Sequence, residues 1–112
     1  MNANTRKKDI SAAVRRKVRA RDGGCIFCQN FNFRPTGANT EIMHYIGRGR
    51  GGLGIEENLA VGCIVHHRMM DQGSPEDQQN MRAIFRSYLR AYYPDWNEAK
   101  LMCKNRWELD DE

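Results

Sequence analysis

Two short chelating pairs constrain this chain more than anything else in it: Cys25-Ile-Phe-Cys28 and Cys63-Ile-Val-His66. Each pair has a two-residue gap, the spacing at which one tight turn presents two ligands to one ion. A lone C-x-x-C leaves a redox reading open, but a second matched pair argues for a closed tetrahedral zinc site that ties an early loop to a later helix. Cys103 is the spare cysteine. It falls on the apolar side of a short expected helix and reads as a small core residue, with the alternative that it replaces His66 as fourth ligand.

A staple of this kind suits a chain of 112 residues. That length allows one domain with terminal extensions, and a core of that size is marginal without a metal, a disulfide or a partner. No apolar run is long enough to span a membrane, and the basic N-terminal residues lack the apolar segment of a secretory signal. The expectation is a soluble cytoplasmic protein, where paired cysteines are metal ligands more often than disulfides.

The formal net charge is +4, and it is unevenly placed. Arg6, Lys7, Lys8, Arg15, Arg16, Lys17, Arg19 and Arg21 crowd the N-terminal segment, Arg34, Arg48, Arg50 and Arg68 follow, and Glu108 to Glu112 is acidic. Such polarity suggests a phosphate-backbone partner, the bland alternative being a solvated helix face.

Residues 1–8 read as a basic disordered arm, residues 9–107 as the domain, and residues 108–112 as an acidic tail. Between Asp9 and Arg21, Ile10, Val14 and Val18 recur every fourth residue, which predicts an amphipathic helix with a cationic outer face. Asp22-Gly23-Gly24 ends it. Thr40 to Ile46 suits a strand. The glycines of 47–54 then forbid a helix and permit an irregular loop between two short strands, where backbone can approach a phosphate. A helix is expected from about Cys63 to Asp71, with His67 and Asp71 on one face. Ser74-Pro75-Glu76-Asp77 is a strong helix start, and Met81, Ile84, Phe85, Tyr88, Leu89 and Tyr92 form the core stripe of a helix ending near Tyr92. Asp95 is placed to cap a last short helix through Ala99 to Met102, with Trp96 and Trp107 packing back onto the domain.

The order Arg21-Asp22-Gly23-x-Cys25-x-x-Cys28, Glu41-x-x-His44, Gly51-Gly52, Asn58-Leu59, Cys63 and His66-His67 resembles the HNH endonucleases, in particular the small members found in phage and prophage genomes. The resemblance covers roughly residues 10 to 72. It implies an α+β fold: a small ββα-metal (His-Me finger) domain with a structural zinc clamp and flanking helices, the core motif spanning 25–71 and the C-terminal helices 74–103. It further implies His44 as general base, a role that suits an imidazole of pKa ~6.5. By the same resemblance Asn58 orients the base or binds the metal, and His67 with Asp71 holds the catalytic divalent ion, Mg2+ or another such as Mn2+ or Ni2+. Arg48 and Arg50 would hold flanking backbone, with Arg15, Arg16 and Arg19 as further contacts to double-stranded DNA. The same likeness points to a host bacterial cytoplasm and to phage packaging or recombination proteins as partners.

The chain departs from the family pattern at two positions. Met43 stands where many members place an Asp or His metal ligand, and thioether sulfur is a poor donor to a hard ion. Glu41, on the same side of the strand by the two-residue period, is the residue able to compensate. His66 stands where many members have cysteine. Two other functions fit the same residues: a non-catalytic zinc-stabilised DNA-binding module, favoured by Met43, and a protein-interaction adaptor using the face of the 74–92 helix.

Overall fold

The computed structural model describes residues 9–103; the expected basic arm, Trp107 and the acidic tail lie outside them. Among the described residues, three α-helices surround one antiparallel pair of strands. Helix α1 (Ala12–Asp22) is followed by a cysteine-bearing loop, strand β1 (Thr40–His44), a glycine-rich arm, strand β2 (Leu59–Cys63), helix α2 (Ile64–Gln72) and helix α3 (Pro75–Tyr92). No helix among the described residues is long and apolar enough to cross a membrane.

Each helix begins and ends for a local reason. Ser11 accepts the Val14 amide at 3.1 Å to cap α1, and Gly23, at φ 69°, closes it in the left-handed region that favours glycine. Cys63 caps α2 through its sulfur, which accepts the His66 amide. Ser74 caps α3 ahead of Pro75, as its sequence foretold. The last short helix is a 3-10 turn, Glu98–Leu101, and its cap is Asn97 rather than Asp95. Asn97 lies two residues closer to the turn, where its Oδ1 reaches the Ala99 amide.

The register of the sheet sorts side chains to two faces. Thr40 pairs with Cys63, Ile42 with Val61 and His44 with Leu59, and on the other face Glu41 pairs with Gly62 and Met43 with Ala60. Ile42, Leu59 and Val61 pack against Val14 and Val18 of α1 and against Ile10, just ahead of the helix. Met43 and Ala60 join the larger core with Cys25, Phe27, Met70, Met81, Phe85 and Leu89. So α1 covers one face of the hairpin, and α2 with α3 covers the other.

The C-terminal end of α1 is joined to the rest by polar contacts. Asp22 is buried and accepts hydrogen bonds from the Val61 amide at 2.7 Å, the Tyr88 hydroxyl at 2.6 Å and the Arg21 guanidinium at 2.6 Å. Arg21 also donates to the carbonyls of Glu56 and Leu59 and to the Tyr93 hydroxyl. Its guanidinium lies 5.5–5.8 Å from the ring centres of Tyr88, Tyr92 and Tyr93. Arg21 therefore does not belong to the solvent-facing basic surface. Burial opposes its charge, but the bonds to Asp22 and Tyr93 outweigh that and hold the guanidinium ionised.

The glycine-rich arm is more ordered than its composition suggests. Arg48–Arg50 form a 3-10 turn closed by Gly51 at φ 88°. Gly52 then makes a β-bridge with Met102, Leu53 donates to the Leu101 carbonyl, and Cys103 donates to the Gly51 carbonyl. The second half of the arm is thus a docking edge for residues 101–103, and only its tip at 47–50 faces outward. A Cβ on Gly52 would sit 1.7 Å from the Ile46 carbonyl oxygen. Gly52→Ala is accordingly expected to destabilise the fold by roughly 2–3 kcal/mol, as overpacking against rigid backbone does, which thermal denaturation would register as a fall of about 10 °C or more.

Candidate metal centre and the neighbouring histidine cluster

Sequence spacing and the fold agree on the first site. The Cys25–Cys28 turn lies in the loop that follows α1, and Cys63 and His66 occupy the cap and first turn of α2. The four donor atoms all fall within 4.8 Å of one another. His66 presents Nδ1, at 3.7, 3.5 and 3.4 Å from the sulfurs of Cys25, Cys28 and Cys63, and the Cys28 and Cys63 sulfurs are 3.8 Å apart. A tetrahedron with ~2.3 Å metal–sulfur and ~2.0 Å metal–nitrogen bonds has sulfur–sulfur edges of about 3.8 Å and sulfur–nitrogen edges of about 3.5 Å. The donor set therefore fits a zinc-sized ion in both chemistry and dimensions, and these four residues can hold one.

The surroundings support that use. The Cys28 amide donates to the Cys25 sulfur and the His66 amide to the Cys63 sulfur, both at 3.3 Å, and the Thr36 hydroxyl donates to the Cys63 sulfur at 3.1 Å. Such bonds stabilise thiolates. Burial pushes the Cys25 thiol up to about 11 in the metal-free chain. Burial acts on Cys63 in the same sense but is outweighed by Thr36 and the His66 amide, so its thiol lies below the usual range. Burial also lowers the His66 pKa, favouring the neutral ring that binds metals. Phe27 and Phe33 meet that ring edge-on. Cys103 stands apart at the glycine-rich arm and is no member of the cluster.

A second group forms one turn further along α2. His67 is three-quarters buried at its side chain, and both of its ring nitrogens meet carboxylates: Nδ1 meets Glu41 of β1, and Nε2 lies 3.2 Å from Asp71. These three residues line an open cleft with Ile64, Arg68 and Gln72. The pairing of His67 with Asp71 follows from helical spacing. The approach of Glu41 follows from the strand register and from the position of α2 against β1.

The remaining residues singled out in the sequence lie elsewhere. His44 is half-buried on the sheet face of Ile42 and Leu59, opposite the face that carries Glu41, and it does not line the His67 cleft. Met43 is fully buried, its sulfur packed over Gly62, where an added Cβ would lie only 2.3 Å away. Asn58 is fully buried and spends its amide on backbone: Oδ1 accepts from the Ile46 amide, and Nδ2 donates to the carbonyls of Ile46 and Leu53. It braces the arm that follows His44 and does not face the His67 cleft. Arg48 is paired with Asp9 at 2.6 Å, and Arg50 is exposed at the tip of the arm. Arg15 and Arg16 are exposed on the outer surface of α1, and Arg19, also exposed, donates to the Thr40 hydroxyl beside Glu41.

Sequence reasoning misses Thr36 as a sulfur partner and Arg21 as an internal latch. The tyrosines at 88, 92 and 93 are the available signal for the latter. Comparison with protein-family models, with curated proteins and with solved structures finds no match to the chain.

Proposed function

We propose that the chain is a metal-dependent DNA endonuclease in which a structural zinc ion, held by Cys25, Cys28, Cys63 and His66, fixes a ββα unit that carries the catalytic groups. The observation that carries this reading is the placement of His67 and Asp71. They occupy the helix turn that follows the Cys63–His66 half of the thiolate cluster, and they open into a cleft beside Glu41. An imidazole and a carboxylate at i and i+4 suit a hard divalent ion that keeps open positions for water and a phosphate oxygen. When bound, that ion would neutralise charge developing on the scissile phosphate. His44 is proposed as the base that takes the proton of the attacking water, and Asn58 as the residue that holds its strand end and arm in place.

The basic surface supports a nucleic-acid substrate. Arg15, Arg16 and Arg19 face solvent on α1, and Arg19 donates to the Thr40 hydroxyl on the α1 face of the sheet, while Arg68 lines the His67 cleft itself. Replacing Arg15 and Arg16 together by alanine is expected to weaken DNA binding similarly for unrelated sequences. It should also reduce the slope of log K against log salt by about 0.9 for each phosphate that is no longer neutralised, measured by fluorescence anisotropy.

The test of activity is relaxation of supercoiled plasmid with Mg2+, Mn2+ or Ni2+, comparing the wild type with His44→Ala. Cleavage abolished in the variant, with DNA binding retained, supports the nuclease. A second reading, a zinc-stabilised DNA-binding module without catalysis, is favoured by two specific observations. Met43 fills the core where a ligand is expected, and His44 faces away from the His67 cleft. That reading predicts binding with a steep salt dependence and no cleavage under any ion.

A further inference from the structure

Strand period makes Glu41 the residue to stand in for Met43 as a direct metal ligand, but the structure gives it a different partner. Its carboxylate meets Nδ1 of His67, while Asp71 lies at Nε2, on the other side of the ring. One ion cannot be held by both nitrogens of one imidazole, so the two carboxylates have different tasks. The Asp71 oxygen is 3.2 Å from Nε2. Octahedral ligands at ~2.1–2.2 Å stand about 3 Å apart along an edge, so this pair can close on one ion with little movement. Glu41 is left to accept the hydrogen on Nδ1, the carboxylate–histidine–metal arrangement that fixes a ring's tautomer and raises its basicity.

We infer that Glu41 is a positioning residue for a cation site formed by His67 Nε2 and Asp71. The inference rests on the proposed divalent-ion site and assigns the residue that orients it. The contact has a structural cause. Glu41 lies opposite Gly62 in the sheet, and α2 is fixed against that strand pair through Cys63 and His66, whose sulfur and ring nitrogen are 3.4 Å apart. The zinc cluster thereby sets the distance from β1 to the helix face that bears His67. Met43, the other β1 side chain on this face, is committed to the core over Gly62. Glu41 is exposed, so its substitution removes an orienting group without opening a cavity.

The experiment is Mn2+ titration of the zinc-loaded full chain, followed by electron paramagnetic resonance, for wild type, Glu41→Ala, Glu41→Asp and His67→Ala. Thermal denaturation of each variant checks that it is folded. Wild type is expected to take up one Mn2+ beyond its zinc, with His67→Ala losing it. Glu41→Ala should bind roughly ten- to a hundredfold more weakly, with unchanged zinc content and near-unchanged melting, and Glu41→Asp should recover part of the affinity. With Mg2+ present, 15N shifts of the His67 ring should place the hydrogen on Nδ1. Equal Mn2+ affinity in wild type and Glu41→Ala, or an ion on Nδ1, overturns the role of Glu41 and leaves the ion site standing. No uptake by the wild type overturns both.

Discussion

Serine in place of Cys63 is expected to cost the protein its zinc and its cooperative thermal transition together. Cys63 is a proposed ligand, the N-cap of α2 and the last residue of β2, so its sulfur joins three parts of the fold. A structural zinc site contributes about 10–16 kcal/mol at neutral pH, whereas a small domain has only about 5–15 kcal/mol of net stability. The apolar core cannot make good that difference. Three of its buried members, Cys25, Ile26 and Phe27, belong to the loop that a metal on these ligands would hold in place. Zinc analysis of the purified protein should give about one ion per chain for the wild type and none for Cys63→Ser. Circular dichroism should then show the variant without a sigmoidal melt. A Cys63→Ser protein that melts like the wild type would show that the cluster contributes nothing to folding.

Asp22→Ala should be nearly as damaging, for a reason unrelated to the metal. The carboxylate is buried and serves the Val61 amide, the Tyr88 hydroxyl and the Arg21 guanidinium at once. Its removal leaves Arg21, whose side chain is 9% exposed, without its counter-charge. Breaking a buried ion pair from one side costs about 3–5 kcal/mol, and two further donors lose their acceptor. Urea denaturation is the measurement, and a midpoint within error of the wild type would refute this role for the carboxylate. The double variant Asp22→Ala/Arg21→Met should recover part of the loss, because it also removes the stranded charge.

Local signals in the chain foretell local structure well. The four-residue recurrence of Ile10, Val14 and Val18 marks α1, Ser74-Pro75 marks the start of α3, and the two chelating pairs converge as their spacing implies. What escapes a reading of the sequence depends on partners distant in the chain. Arg21 looks like one more cation of a basic helix, and only the carbonyls of Glu56 and Leu59 and three tyrosines make it internal. Gly51 and Gly52 look like a flexible cradle, yet their backbone is taken up by residues 101–103. The partner of Glu41 is likewise set by how α2 lies across β1, which the period of a strand alone cannot reveal.

The strand–strand–helix order is present, with β1 and β2 antiparallel and α2 leaving directly from β2. His44 and Glu41, the strand partner of His67, belong to opposite faces of the sheet, the feature that favours the binding module over the nuclease.

The most direct measurement is the rate of plasmid nicking by the zinc-loaded protein, first without added divalent ion and then across a Mn2+ titration, with His67→Ala alongside. A metal-dependent nuclease should show no nicking before Mn2+ is added and a saturable rise with Mn2+. His67→Ala should then be slower by at least about a hundredfold, the scale on which removed metal-centred catalysis is felt. Folded, zinc-loaded wild type that binds DNA and nicks nothing at saturating Mn2+ would contradict the nuclease assignment.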